Sequence, residues 1–385
     1  MRRIVQVLVF SLFPAWTAFA ASVTPAGFET KAKQIYMIEA STGTVLISKD
    51  ENEPVSPASL AKLMTMEVVF DALKKGEITP TTAYPVSEHA WRTGGAPSRT
   101  STMFAALKSS VPVLDLVQGV TVQLANDACI ILAEGMNGSE AAFAQRMTKR
   151  AEELGLTMSR FSNPTGLPDP GNRTSMRDLV TLAQHLQVEY PDYYRYYAQP
   201  EYEWNRIKQR NKNPLVTANI GVDGLATGFA DGEGFSVVLS AMRDGKRIFL
   251  AMGGLQSDKE RFEESRRVVD WAMTSFASRT LFKQGEVIGA ISVYGGARSS
   301  VDLAAKVPVD VFLPTNNPER LAARIVYRWP LVAPVEADRQ VGSLKISVGE
   351  KVLREVPLYT VEAVERGSLA SRALDAAMEL MFFWL

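Results

Sequence analysis

The chain has 385 residues, 46% hydrophobic and 22% charged, which supports a sizeable core and a length that fits two domains, or one large domain with an appendage. Lys plus Arg equals Asp plus Glu at 42 each, so no basic excess points to a nucleic-acid partner. One cysteine, Cys129, excludes an intramolecular disulfide, and two histidines, His89 and His185, argue against a histidine-built zinc site and leave few ways to assemble a Ser-His-Asp triad.

The first twenty residues have the three parts of a secretory signal peptide. Arg2 and Arg3 begin it, an apolar run extends from Ile4 to Phe19, and Ala18-Phe19-Ala20 is a small-x-small cleavage site. A membrane-spanning anchor is the alternative, but the run is short for a span. The β-rich run IYMIEASTGTVLIS over 35–48 predicts a hairpin turned at Ser-Thr-Gly-Thr. Next comes a helix, with Ser56 as cap, Pro57 at its first position and an end near Gly76. Helices are predicted over 112–124, 127–136, 139–154 and 176–188. The last carries His185, which reads as a helix-surface residue, while His89 in SEHAW reads as structural. The segment 234–254 predicts a hairpin turned at Asp244-Gly245, followed by a charged amphipathic helix over 259–276.

Beyond about 278, short β-rich runs such as VIGAISVYG and VGSLKISVG are punctuated by Gly, Pro and Asn, which predicts a small all-β module. The final run, 368–385, returns to helical spacing. Arg372, Asp375 and Glu379 share one face, and Leu374, Met378, Met381, Phe382 and Leu385 lie on another. That pattern fits an amphipathic helix in a membrane interface, or a helix docked on the β module.

Ser59-Leu60-Ala61-Lys62 is the first candidate for chemistry. Spacing of (i, i+3) puts serine and lysine on one helix face, and a neutral lysine amine can take the serine proton. Alone, Ser-x-x-Lys occurs by chance in many helices. Its surroundings decide the matter. PASLAKLMTMEVVF around Ser59, WRTGGAPS at 91–98, STMFAAL at 101–107, NPTGLPDPGN at 163–172, RNKNPL at 210–215, VDGLATGF at 222–229 and VGSLKISVGEKVLREVPL at 341–358 all resemble the serine D-alanyl-D-alanine carboxypeptidases, the low-molecular-weight penicillin-binding proteins. The resemblance covers nearly the whole chain after residue 20.

The resemblance implies an α/β (α+β) transpeptidase/β-lactamase-like domain over 21–277, with an antiparallel sheet flanked by helices. A β-sandwich over 278–365 and an amphipathic helix over 366–385 would follow. It implies an exported, periplasmic protein, peripheral on the inner membrane through that helix. Its substrate would be the peptidoglycan stem peptide, whose terminal D-alanine is removed through an acyl-ester on Ser59 with Lys62 as base. β-Lactams would be covalent inhibitors, and no metal or organic cofactor would be needed. The family site has three motifs. The second, Ser-x-Asn, reads Leu124-Ala125-Asn126 here, so Asn126 matches and the serine is lost. The third, Lys-Thr-Gly, reads Ala226-Thr227-Gly228, so Thr227 and Gly228 match as substrate-aligning residues and the lysine is lost. Leucine cannot relay a proton and alanine cannot pair with a substrate carboxylate. Two effects on Lys62 oppose each other: loss of a neighbouring lysine keeps it protonated longer, and an apolar neighbour desolvates it. Three outcomes are open: a working but slow carboxypeptidase, a binding protein without turnover, and a protein that penicillin acylates without appreciable peptidase activity.

Overall fold

A computed structural model describes residues 28–315, 321–348, 351–369 and 373. The predicted signal peptide and almost all of the predicted C-terminal helix lie outside these residues. Among the described residues no helix is long and apolar enough to cross a membrane. The chain divides into two compact units, one carrying most of 28–274 and the other beginning at Ser275.

In the first unit, β1 (Gln34–Glu39) and β2 (Val45–Lys49) form the predicted hairpin, and α1 (Lys62–Lys75) follows. β3 (Ala83–Pro85), α2 (Glu88–Thr93) and β4 (Ser110–Pro112) lead to three helices, α3 (Val113–Gln123), α4 (Asn126–Asn137) and α5 (Glu140–Glu153). Then come α6 (Met176–Glu189), α7 (Pro191–Tyr194), the hairpin β5 (Glu201–Trp204) and β6 (Ile207–Arg210), and the strands β7 (Val222–Ala230), β8 (Gly234–Arg243) and β9 (Lys246–Leu255). α8 (Asp258–Ser275) ends the unit. The main sheet runs β2-β1-β9-β8-β7, with β1, β9, β8 and β7 pairing antiparallel, so β7 is an edge strand. Asp244 and Gly245 both take positive φ, 49° and 77°, which matches the two-residue turn expected between β8 and β9.

α1 is the buried axis of this unit. From Lys62 to Leu73 only Asp71 is not buried, the pattern of a helix packed on all sides. α1 touches α3, α4, α5 and α6. The price of this burial is met at Glu67, whose Oε1 accepts from Arg150 Nε at 2.9 Å and from the Tyr190 hydroxyl at 3.1 Å, with His185 Nε2 at 3.2 Å. Because a buried carboxylate is tolerated only when paired, these contacts fix α1 against α5 and α6. His185 is therefore half-buried against α1, not simply a helix-surface residue as its flanking sequence indicated.

The start of α1 departs from expectation. Ser56 does not cap it: the Ser56 backbone N donates to Glu233 Oε2 at 2.7 Å. Pro57 instead opens a 3-10 turn, Ala58–Ala61, and the α-helix begins only at Lys62. The cause is Ala58, which sits at φ 47°, a left-handed conformation that no regular helix accommodates.

In the second unit, β10 (Phe276–Phe282) pairs with β13 (Val309–Pro314). A six-stranded sheet combines β11 (Val287–Tyr294), β12 (Ser300–Ala304), β14 (Leu321–Tyr327), β15 (Leu331–Val332), β16 (Gln340–Val348) and β17 (Lys351–Thr360) in the order β14-β16-β17-β12-β11-β15. Alternate residues point inward, so Ile291, Val301 and Leu303 from the larger sheet meet Val311 from the smaller in one core. The all-β module predicted from the turn-punctuated sequence is present.

Candidate active site

The strained entry to α1 has a direct consequence for Ser59 and Lys62. In a 3-10 turn, residues i and i+3 eclipse one another. Lys62 Nζ accordingly lies 3.2 Å from Ser59 Oγ, and it donates to the Thr165 carbonyl at 2.5 Å. Ser59 is half-buried, while Lys62 is 2% exposed. These are its hydrogen-bond partners among the described residues, and neither is a carboxylate. Burial without a counter-ion lowers the Lys62 amine to about 8. Desolvation is the largest cause of that lowering. Nearby on α4 the Cys129 thiol is wholly buried, and burial pushes it up to about 12, so it stays a neutral, inert group.

Thr165 comes from the NPTG loop, which two asparagines hold in shape. Asn163 Oδ1 accepts from Thr165 N, Thr165 Oγ1 and Gly166 N at 3.2, 2.9 and 2.7 Å. Asn163 Nδ2 and Asn172 Nδ2 both donate to the Leu167 carbonyl. One amine hydrogen of Lys62 is thus committed to a rigid carbonyl, which directs its lone pair, when neutral, toward Ser59.

The second motif forms the α3–α4 junction. Leu124 is 6% exposed and takes φ 54° as the C-cap of α3. Asn126 opens α4; Ala125 caps that helix, not Asn126. The Asn126 N donates to the Ser101 carbonyl at 2.7 Å and its Nδ2 to Thr100 Oγ1 at 3.0 Å. Its Oδ1 is buried without a hydrogen-bond partner in the described structure. Next to it Asp127, wholly buried, accepts from Thr102 Oγ1 and from the backbone N of Met103, Ala105 and Ala128. That carboxylate pins the 102–105 segment to α4.

The third motif lies on β7, at the sheet edge. Ala226 is 1% exposed, and Thr227 Oγ1 donates to the Lys212 carbonyl at 3.4 Å. Lys212 N in turn donates to the Val122 carbonyl at 2.9 Å, so one residue ties the second and third motifs together. Gly228 lets β7 approach the Ser59 turn: a Cβ there would stand 2.6 Å from Ser236 Oγ and 3.2 Å from Leu60 Cγ. All three motifs thus border the Ser59–Lys62 pair or the elements packed on it.

Residues 19–255 match the family model for D-alanyl-D-alanine carboxypeptidase, and 276–366 match that for the penicillin-binding protein 5 C-terminal domain. D-alanyl-D-alanine carboxypeptidase DacC of Escherichia coli is 33% identical over 100% of this chain and 97% of its own. The chain belongs to the D-alanyl-D-alanine carboxypeptidase family. Crystal structures of penicillin-binding protein 5 from Haemophilus influenzae superpose with a TM-score of 0.79 at 30% identity, covering 90% of this chain and 100% of theirs. Penicillin-binding protein D2 of Listeria monocytogenes in its cefotaxime-bound form matches with a TM-score of 0.57 at 25% identity over 64% of this chain and 98% of its own.

The chain is thus a serine hydrolase of this carboxypeptidase family, and its fold brings Ser59 and Lys62 within hydrogen-bond reach. Two features of the site escaped the sequence reading. The Thr165 carbonyl is one, for NPTG signals only a turn. The other is Arg261 on α8, 7% exposed, which pairs with Asp258 and places Nη1 3.4 Å from the Gly228 carbonyl. It brings a buried cation to the β7 edge, beside Thr227 and Gly228. Gly166 gives a test of the strained turn. At φ 74°, with a Cβ position 1.7 Å from the Ala58 carbonyl, Gly166→Ala must displace either the loop or the Ser59 turn. Ser59 acylation in Gly166→Ala is expected to fall at least tenfold, measured as the second-order rate with a chromogenic cephalosporin; an unchanged rate would show that the turn yields freely.

Proposed function

We propose that the chain is an exported D-alanyl-D-alanine carboxypeptidase that acylates on Ser59 with Lys62 as base, and that Leu124 and Ala226 slow its turnover of peptide more than its acylation by β-lactams. The carrying observation is the Lys62 amine, buried, without a counter-ion and 3.2 Å from Ser59 Oγ. In this reading the Ser59 hydroxyl proton passes to neutral Lys62 as Oγ attacks the substrate carbonyl. The terminal D-alanine leaves with a proton, and water releases the shortened peptide. Asn126, Thr227 and Gly228 align the peptide. Export rests on the leader over 1–20. The catalytic portion would be 21–277, the β domain 278–365, and the C-terminal helix a peripheral contact with the membrane surface.

Slow peptide turnover follows from chemistry at the two departures. A β-lactam keeps its amine leaving group tethered, whereas a peptide needs a proton delivered to an amine that departs, and Leu124 has none to relay. Ala226 leaves the terminal carboxylate to Arg261, whose charge is already shared with Asp258. The comparison that tests this is adduct formation with a penicillin beside D-alanine release from a pentapeptide. A rapid adduct with release slow or absent supports it, and release as fast as adduct formation would contradict it.

The pH dependence is specific. The Lys62 amine is lowered to about 8, so the neutral base becomes available as pH rises through that value. Acylation by penicillin is expected to climb with pH, reach half its plateau near 8 and level above it. A profile still rising steeply at pH 10 would show that Lys62 is not desolvated as described.

A further inference from the structure

The second unit carries a basic face that the hydrolase chemistry leaves unused. β14 and β16 pair through Arg324↔Lys345 and Val326↔Ser343, and β16 meets β17 through Lys345↔Glu355. Ile325, Leu344 and Val356, one step along each strand, belong to the core, so Arg324, Val326, Lys345 and Glu355 face outward. The chain turns just beyond β14. There Arg328, Pro330 and Val332 line a groove of about 660 Å³ with Arg339, Ser343 and Glu355.

Neighbouring acids cancel little of this charge. β14 is an edge strand, so Arg324 has only Lys345 directly across from it. Glu355 is the one acid lining the groove; it accepts from the Ser343 hydroxyl and meets Lys345 at 3.6 Å. Asp338, next to Arg339 in the chain, is held by Lys306 at 2.8 Å. Arg324, Arg328 and Arg339 are all exposed, and among the described residues none of them makes an ion pair. Large apolar side chains stand between the cations: Val326 is 43% exposed, Trp329 44% and Val332 53%.

This mixture suits a lipid surface. The guanidinium fork matches phosphate oxygens, and tryptophan settles at headgroup level, where one side is apolar and the other wet. A soluble polyanion would satisfy the arginines and leave Trp329 and Val332 in water. The end of the domain points to the same partner. Tyr294 pairs with Val332, and the Gly295 carbonyl accepts from Gly367 N at 2.9 Å. The amphipathic run read from the sequence over 368–385 therefore starts beside the partner of Val332.

We propose that this face of the β domain is a membrane contact in its own right, with Arg324, Arg328 and Arg339 on the phosphates of anionic lipids and Trp329 and Val332 at headgroup level. It goes beyond the contact proposed for the C-terminal helix, because it is built from the folded β domain and needs none of that helix. Two weak contacts at one end of the domain would reinforce each other.

The test uses the full-length chain and vesicles of equal parts phosphatidylglycerol and phosphatidylcholine. In co-sedimentation, Arg324→Gln/Arg328→Gln/Arg339→Gln is expected to bind about tenfold more weakly than the unaltered chain, with the difference shrinking at high salt. Arg195→Gln/Arg206→Gln/Lys259→Gln removes the same charge from exposed positions of the first unit and should bind within about twofold of the unaltered chain. Equal losses in the two variants would overturn the face. A second readout separates it from the C-terminal helix. Cys129 is the one cysteine and is buried, so an environment-sensitive thiol dye on Val332→Cys reports that position alone. Its emission is expected to shift to the blue on the anionic vesicles. Sedimentation without a shift would leave the helix as the binder and overturn the face. A shift of the same size with soluble polyglutamate would assign the face to an acidic protein partner and overturn the lipid reading. No sedimentation of the unaltered chain would overturn both membrane contacts.

Discussion

Lys62→Met is expected to slow acylation of Ser59 by about 10²–10⁴-fold, the range for loss of a positioned proton acceptor, while raising the stability of the fold. The two effects have one origin. Lys62 is 2% exposed, its hydrogen-bond partners are a hydroxyl and a carbonyl, and its amine is lowered from 10.5 to about 8. Below pH 8 the folded protein carries a buried, unpaired ammonium that the unfolded chain hydrates freely. Between about 8 and 10.5 the unfolded chain holds more protons, so stability rises with pH across that window and the penalty is gone above it. At pH 7 the full penalty applies, on the order of 3 kcal/mol. Methionine fills the same space without charge, so urea denaturation at pH 7 should give a higher midpoint for Lys62→Met and little pH dependence between 8 and 10.5. Slow acylation with a lowered midpoint would mean that the variant is merely damaged. Stability held in reserve at a catalytic group is the usual exchange between function and fold.

Leu124→Ser combined with Ala226→Lys is expected to raise D-alanine release from a pentapeptide by about 10²–10⁴-fold, with a smaller effect on penicillin acylation. The serine restores a hydroxyl able to relay a proton to the departing amine. The lysine restores a cation for the terminal carboxylate, a charge-assisted bond of about 1.5–3 kcal/mol. Because both act on one event, the double variant should differ from the sum of the singles. The gain has a structural cost. Leu124 is 6% exposed, and removing a buried leucine costs roughly 2–5 kcal/mol. Ala226 is 1% exposed, so Ala226→Lys buries a new ammonium, and the double variant, which carries both costs, should be the least stable of the three variants. Steady-state release assays beside thermal midpoints separate the two consequences. No gain in release from a folded double variant would mean that these two positions are not what limits turnover.

Much of the catalytic frame was legible because its signals are local. Hydrophobic periodicity gave α1 and α3 to α6, Asp244-Gly245 gave the β8–β9 turn, and the resemblance around Ser59 singled out Ser59 and Lys62, which the fold holds 3.2 Å apart. What the sequence did not disclose depends on contacts between distant residues. Lys62 meets Thr165 across 103 positions, and Arg261 reaches Gly228 across 33. Neither segment advertises the other. The left-handed Ala58 was also invisible, since alanine is an ordinary helix former and only packing explains its conformation. With Ala58 in that conformation, α1 starts at Lys62 and not at Pro57, and Ser59 sits in a 3-10 turn that brings it over Lys62. The direction of the Lys62 shift was likewise undecidable from sequence, because it turns on burial along α1 and on which partners reach the amine.

Intact-protein mass after incubation with a penicillin at pH 8, with Ser59→Ala as control, tests most directly whether the buried lysine makes Ser59 a nucleophile. A mass gain of one penicillin on the unaltered chain and none on the control is the result expected. A chain that gains no mass, while remaining folded, would contradict acylation on Ser59 and leave a binding role on a carboxypeptidase scaffold.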